Sequence, residues 1–142
     1  MSGIVVGVDG SSESIAALRF AIDEGALRHA EVLALYALEM PALPWTGHAE
    51  TALEEVNRVF DHAIGEAFGG AAPATSFARR VVEKAPAEAL VEAAADADLL
   101  VVGSRGHGGF AGLLLGSVGQ QVAHHAPCPV VVVRALEERE AA

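Results

Sequence analysis

Along the chain, short continuous apolar runs alternate with longer stretches in which apolar residues recur every three or four positions. The short runs predict strands, and most of them are too continuously apolar to leave one face in water. They lie at 2–9, 31–39, 75–83, 99–102 and 130–133. The third run is the weakest because Arg79 and Arg80 interrupt it, so we expect it at or near a sheet edge.

The stretches with the longer period predict helices. They lie at about 12–28, 49–68, 86–94 and 118–125. Ser11 or Ser12 can cap the first helix, and Pro86 suits the first turn of the third. The buried face of the first helix is predicted to carry Ile15, Leu18, Ile22 and Ala26. Glu13 falls outside that face.

Strands that alternate with helices predict an α/β fold, in which a parallel sheet is covered by helices on both faces. We expect a single domain over 1–142, since no linker divides the chain. Ligands of such sheets bind beyond the carboxyl ends of the strands, where the winding reverses. Asp9, Ala37 and Gly103 end the first, second and fourth strands. They converge if the first strand lies between the other two.

Residues 103–118 form a glycine-rich segment between the fourth strand and the fourth helix. A helix start exposes N–H groups that have no helical partner, and glycines let an anion approach them. The segment therefore predicts a nucleotide-binding loop, with a flexible surface loop as the alternative. Residues 106–111 also fit the dinucleotide pattern G-x-G-x-x-A, but that pattern follows the first strand of its fold and needs an acidic residue about 20 positions later. Only one strand follows residues 106–111, and Arg134 stands at its end, so we reject a dinucleotide site. No lysine follows Gly116, which excludes a Walker A loop.

The composition and charge of the chain limit the classes of molecule that it can bind. The 142 residues carry a formal charge of −10 and only nine Lys and Arg residues, which argues against a nucleic-acid or anionic membrane surface. An acidic chain must hold a polyphosphate with local N–H donors, an arginine or a metal ion. No apolar stretch reaches the roughly 18 residues of a membrane span and no signal peptide is recognised, so we expect a cytoplasmic protein. Cys128, the single cysteine, is expected to be an inert packing thiol.

Three motifs together resemble the universal stress protein family. They are IVVGVDGS at 4–11, the spacing Gly103-x2-Gly106-x9-Gly116-Ser117, and CPVVVV at 128–133. The resemblance covers almost the whole chain. It implies an open five-stranded sheet of order 3-2-1-4-5 with four helices, the adenine nucleotide alpha-hydrolase-like fold. It also implies ATP in the crevice, because members with this glycine pattern bind ATP. Mg²⁺ would be held by the triphosphate.

The family pattern also implies roles for individual positions. Phosphate contacts, largely through backbone N–H groups, fall to Gly106, Gly116, Ser117 and Val118. Val102 and Gly103 would lie against ribose and adenine, Asp9 near the adenosine end, and Ala37 beside the base. Arg105, the only cation of the glycine segment, is expected to reach a phosphate. The predicted nucleotide-binding set is completed by Gly7, Ser104, His107, Gly108 and Gly109.

The last strand predicts self-association of the chain. A terminal strand of four valines has an unpaired sheet edge that a second copy could cover, so we expect a homodimer. The valines are Val130, Val131, Val132 and Val133.

Two classes of function fit the sequence. The first is an ATP-binding regulatory or stress-response protein with an unknown protein partner. The second is a nucleotide-independent dimeric scaffold or chaperone-like protein. We see no activated nucleophile or catalytic lysine, so any ATP hydrolysis should be slow.

Overall fold

The computed structural model describes residues 3–39, 48–69, 77–105 and 115–134, which form an alternating α/β chain. The strands are β1 (Gly3–Gly7), β2 (Glu31–Ala37), β3 (Phe77–Val82), β4 (Leu99–Gly103) and β5 (Val130–Val133). The helices are α1 (Ser12–Arg28), α2 (His48–Phe68), α3 (Pro86–Ala93) and α4 (Ser117–His125). A short 3-10 helix, Ala94–Asp96, follows α3. The predicted elements are confirmed, with ends that differ by at most two residues.

All five strands are parallel and lie in the order β3-β2-β1-β4-β5. The predicted order is therefore confirmed, and β1 lies between β2 and β4. Val6 of β1 is in register with Ala34 on one side and Val101 on the other. The chain winds from β1 outward through β2 and β3, then crosses back to β4. The reversal of winding thus falls between β1 and β4.

Helices cover both faces of the sheet and explain why the strands are apolar throughout. Ile4, Val6 and Val8 point into a core formed with α1 and α2. Val5, between them, points into a second core formed with α3 and α4. Because successive side chains of a strand point to opposite faces, both sets are removed from water.

Two positions on α1 differ from the prediction. The buried face is made by Ser14, Ala17, Leu18, Ala21, Ile22 and Gly25. Ala26 is exposed, whereas Glu13 is buried, with only 7% of its surface accessible. The stripe is rotated from the predicted one because small residues let the helix approach the sheet closely, and Ala17 and Ala21 are fully buried.

The edges of the sheet are β3 and β5. Arg79 and Arg80 are exposed on β3, which confirms the predicted edge position. Arg79 donates to Asp61 of α2 and lies over the Phe60 ring, so this edge is tied to the helix above it. On β5, Val132 is 38% exposed while the other three valines are half-buried. No helix among the described residues has both the length and the apolarity to cross a membrane.

Candidate functional site

The carboxyl ends of β1, β2 and β4 lie side by side at the reversal of winding. The N–H of Val8, just past β1, donates to the carbonyl of Leu35 on β2 at 2.9 Å. The strand order confirms the predicted convergence of the ends at Asp9, Ala37 and Gly103. This edge of the sheet is the place where an open parallel sheet binds ligands.

A network of short-range hydrogen bonds forms the turn from β1 to α1. Gly10 has a φ of 87°, in the left-handed region that favours glycine. One Asp9 carboxylate oxygen accepts hydrogen bonds from the Ser11 N–H at 2.9 Å and the Ser11 hydroxyl at 2.6 Å. The Ser14 hydroxyl oxygen accepts from the N–H groups of Asp9 and Gly10 at 3.2 and 3.1 Å.

Ser11 is the residue that caps α1, since its hydroxyl oxygen accepts a hydrogen bond from the Ser14 N–H at 3.2 Å. Asp9 does not cap α1 itself but accepts hydrogen bonds from Ser11, the residue that does. This structural role can coexist with the predicted position of Asp9 near the adenosine end of a ligand, which stays a prediction.

Gly103 permits a close approach between β4 and the first turn of α1. A Cβ atom at this position would lie 2.8 Å from both the carbonyl carbon and the Cβ of Glu13. Ordinary Cβ contacts are 3.4–4 Å, so no side chain fits without moving the helix. The glycine that the sequence marks as a ligand contact is thus also required by packing.

Glu13 and Arg105 form an ion pair at this junction. An Nη atom of Arg105 donates to Glu13 Oε2 at 2.7 Å, and the two side chains are 33% and 10% exposed. The guanidinium that we expected on a phosphate is therefore engaged with a carboxylate, and its phosphate contact stays a prediction. Glu13 was missed because apolar spacing places it off the buried face. Its position in the first turn after the cap was the available signal, since this turn faces the strand ends.

The first turn of α4 supplies N–H groups beside β4. Gly116 caps this helix, and its own N–H donates to the Ser104 carbonyl at 2.6 Å. The Ser104 N–H donates to the Val133 carbonyl at 2.7 Å. Gly116 was predicted as a phosphate contact and Ser104 as a member of the nucleotide-binding set. Both N–H groups are used within the protein, where they join the start of α4 and the end of β5 to the end of β4.

The next three N–H groups have a different position. The first intrahelical bond of α4 runs from the Gln120 N–H to the Gly116 carbonyl at 2.9 Å. The N–H groups of Ser117, Val118 and Gly119 precede it, so they point out of the helix end rather than at helical carbonyls. Ser117 and Val118 were predicted from the family pattern, whereas Gly119 was not.

Several other predicted site residues have packing roles. A Cβ on Gly7 would lie 3.1 Å from Leu90 Cδ1, so this glycine faces α3. The Val102 side chain is 3% exposed and packs in the core with α3 and α4. Only their main chains are left for a ligand. Ala37 is half-buried at the end of β2. Four predicted positions lie outside the described residues: Gly106, His107, Gly108 and Gly109.

Tyr36 borders the same edge and was not predicted as a site residue. Its ring packs edge-on against Phe60, with 6.1 Å between the ring centroids. Burial raises the pKa of Tyr36, and the Asp9 and Glu55 carboxylates raise it further. The Asp9 carboxylate thus lies within electrostatic range of the end of β2.

Among the residues that the structure describes, no group of three or more His, Cys, Asp or Glu residues is arranged to hold a metal ion. His124 and His125 are exposed in the last turn of α4. Burial raises the pKa of Cys128, with Asp98 as a smaller cause, so its thiol is less reactive than a free one.

Comparison with known proteins identifies close relatives. The universal stress protein Rv2623 of Mycobacterium tuberculosis (strain H37Rv) is 39% identical over 140 residues, which cover 92% of this chain and 44% of that protein. A universal stress protein of Mycolicibacterium smegmatis is 38% identical over 135 residues, covering 92% of this chain and 45% of the relative. The chain thus spans less than half the length of these relatives.

A solved structure is similar to this chain over nearly the full length of both proteins. A universal stress protein crystallised with cAMP is 33% identical and superposes with a TM-score of 0.72, covering 94% of this chain and 97% of the other. The family model for universal stress proteins matches residues 1–134. The motifs, the strand order and these matches agree, and the chain belongs to the universal stress protein family.

Proposed function

We propose that this chain binds an adenine nucleotide, with ATP as the expected ligand, and that the bound nucleotide regulates its interaction with a protein partner. The observation that carries the proposal is the outward-pointing set of N–H groups at Ser117, Val118 and Gly119, directly beside the end of β4. A helix N-terminus attracts anions because its N–H groups and the helix dipole both favour negative charge. The related protein bound to cAMP supports the adenine nucleotide class.

The proposed ligand lies across the reversal of winding. Its phosphates meet α4, its ribose lies near Gly103, and its base lies beside Ala37. A hydrogen bond to a charged group contributes about 1.5–3 kcal/mol, and the helix end adds up to about 1 kcal/mol. Lost translational and rotational freedom opposes binding by about 4 kcal/mol or more. Micromolar affinity, roughly −8 kcal/mol, lies within the range that four or five such contacts give.

Mg²⁺ is proposed to accompany a triphosphate. The chain has a formal charge of −10, and the site itself contains the carboxylates of Asp9 and Glu13. A triphosphate adds further negative charge, which a divalent cation reduces. Mg²⁺ commonly keeps several waters and binds through phosphate oxygens rather than in an all-protein cage. The phosphates would therefore hold it.

Hydrolysis is proposed to be slow or absent. The predicted contacts position and neutralise phosphates, but no lysine or activated water-positioning group is assigned among them. We expect turnover far below one per second. A rate of several per second would show that the site is an enzyme active site.

The dimer is a separate proposal, which rests on β5. This strand pairs only with β4 among the described strands, and Val132 is 38% exposed. An edge with β-branched residues is suited to pairing with a second copy across a twofold axis. We expect a dimer in sedimentation at micromolar concentration and a monomer for Val132→Lys. A monomeric native chain would refute the dimer.

A nucleotide-independent scaffold is the second candidate function. It is favoured by the same β5 edge and by the fact that the Ser104 and Gly116 N–H groups are already used within the protein. In this case the crevice would be only a structural junction. The cytoplasmic location and the protein partner are predictions under both candidates.

Calorimetric titration with ATP, ADP and AMP, each with and without Mg²⁺, separates the two candidates. The variant Gly116→Val places a branched side chain immediately before the three N–H groups and should weaken binding at least tenfold. Gly3→Ala is the matched control, since it lies at the opposite end of the sheet and its added Cβ meets nothing within 4 Å. Absence of binding by the native chain, or unchanged binding by Gly116→Val, would contradict the proposed site.

A further inference from the structure

We infer that Glu13 is a specificity-determining residue, which reduces the positive charge that Arg105 presents to phosphates and so limits the preference for nucleotides with more phosphates. The inference rests on the proposed function and concerns the same crevice. Arg105, the cation predicted to reach a phosphate, is paired with a buried acid.

The position of Glu13 is fixed by the fold. Its residue surface is 7% exposed, and its backbone lies against the end of β4, where Gly103 has no side chain to keep it away. Both carboxylate oxygens are used: Oε2 accepts from Arg105 at 2.7 Å and Oε1 accepts from the Ser12 hydroxyl at 3.3 Å. The carboxylate therefore cannot swing away without leaving both partners.

Arg105 is the more accessible member of the pair. Its side chain is 33% exposed, against 10% for Glu13, and it follows Ser104, whose carbonyl accepts from the cap of α4. A phosphate held at α4 therefore meets a cation whose charge is already balanced by a carboxylate behind it. Salt and water screen partly buried charges less than exposed ones, so the carboxylate is felt at short range.

The electrostatic consequence depends on the number of phosphates. Adenosine carries no phosphate and is insensitive to the charge of Glu13, whereas each added phosphate is repelled by it. Two like charges separated by one guanidinium, at the screening typical of a protein surface, change an equilibrium constant by roughly tenfold. Glu13 should therefore weaken ATP binding more than AMP binding, and AMP binding more than adenosine binding.

A purely structural role leads to a different expectation. An acid in the first turn of a helix interacts favourably with the helix dipole, and the pair also joins α1 to the end of β4. If Glu13 acted only in this way, its loss would change the affinity for all three ligands by the same factor. The relative affinities therefore distinguish the two roles, whereas stability alone does not.

The test is the variant Glu13→Gln, which keeps the size of the side chain and one acceptor oxygen but removes its charge. Affinities for adenosine, AMP and ATP are measured by calorimetry in EDTA, so that no metal contributes. We expect the ratio of ATP affinity to adenosine affinity to rise about tenfold, and the AMP ratio to rise less. An unchanged or lower ATP ratio would overturn the inference.

Glu24→Gln is the matched control. Glu24 lies on the same helix and is also paired with an arginine, Arg28, at 2.8 Å, but at the far end of α1. This variant should leave all the ratios unchanged. If both variants raised the ATP ratio equally, the effect would belong to net charge rather than to Glu13, and the inference would fail.

A second comparison keeps the test decisive if Glu13→Gln folds poorly. Arg105→Gln is compared with the double variant Glu13→Gln/Arg105→Gln, which removes both charges of the pair. The double variant should show the higher ATP to adenosine ratio, because the single variant exposes phosphates to an unbalanced carboxylate. Equal ratios would overturn the inference. A native chain that binds none of the three ligands would instead refute the proposed function.

Discussion

Replacing Gly103 with alanine should damage the junction on which the site is built. The added Cβ would lie 2.8 Å from the carbonyl carbon and the Cβ of Glu13 and 3.0 Å from the Glu13 carbonyl oxygen. The backbone atoms among these neighbours cannot rotate away as the end of a side chain can. To reach an ordinary contact of 3.4 Å, the first turn of α1 must shift by 3.4 minus 2.8, or about 0.6 Å.

Moving the first turn of α1 would lower the free energy of unfolding, because this turn is held by several hydrogen bonds and an ion pair. The first turn is held by the bonds among Asp9, Ser11 and Ser14, and Glu13 within it is paired with Arg105. Extra methyl groups in well-packed interiors typically destabilise by about 1–3 kcal/mol. With a urea dependence of about 1–3 kcal/mol per molar, the unfolding midpoint should fall by roughly 0.3–3 M, or about 1 M at the middle of both ranges.

Two glycines on β1 provide controls for the same measurement. At Gly7, a Cβ would meet only the Leu90 side chain, at 3.1 and 3.3 Å, and this side chain can adjust. At Gly3, a Cβ meets nothing within 4 Å, so the substitution should be neutral or slightly stabilising. The expected order of stability is Gly3→Ala, then Gly7→Ala, then Gly103→Ala. A Gly103→Ala midpoint equal to that of the native chain would refute the packing argument.

Three further predictions concern other parts of the molecule. Arg19 donates hydrogen bonds to the carbonyls of Ala67 and Glu66 at the end of α2. Arg19→Lys should therefore lower the free energy of unfolding in urea by about 1–2 kcal/mol. An unchanged free energy would show that these hydrogen bonds do not stabilise the fold. Tyr36 is the only tyrosine, so tyrosinate absorbance reports it directly. Because the folded state raises its pKa, the associated stability is lost as pH rises through that pKa. Asp9→Asn should lower the titration midpoint, and an unchanged midpoint would show that Asp9 does not act on the phenol. The raised pKa of Cys128 predicts alkylation at mildly alkaline pH that is slower in the folded chain than in urea; equal rates would contradict it.

The architecture follows closely from local patterns. A strand buried on both faces must be apolar at every position, and the run from Ile4 to Val8 satisfies this. Pro86 opens α3 and Gly69 closes α2, because each residue has a backbone that suits a helix end. The order of the strands required more than pattern, since several orders bury the same residues. It came from the resemblance to the family.

The site was less predictable because its details depend on contacts between distant segments. The apolar periodicity of α1 places Glu13 outside the buried face. Glu13 is nevertheless buried, because β4 approaches the first turn of α1 closely at Gly103. Likewise, the Gly116 N–H was expected to face a phosphate, but the Ser104 carbonyl receives it. Gly7 has the residue type of a ligand contact and serves to accommodate Leu90. Each of these outcomes is set by a neighbour that the local sequence does not contain.

The proposed binding of nucleotide phosphates by the first N–H groups of α4 can be followed at each amide. A nitrogen–proton correlation spectrum of the labelled chain, recorded during titration with ATP and Mg²⁺, reports these groups individually. We expect saturable shifts that are largest at the amides of Ser117, Val118 and Gly119, with no shift at Gly3. Saturable ATP binding that leaves the three α4 amides unmoved, or no binding at millimolar ATP, would contradict the proposed binding.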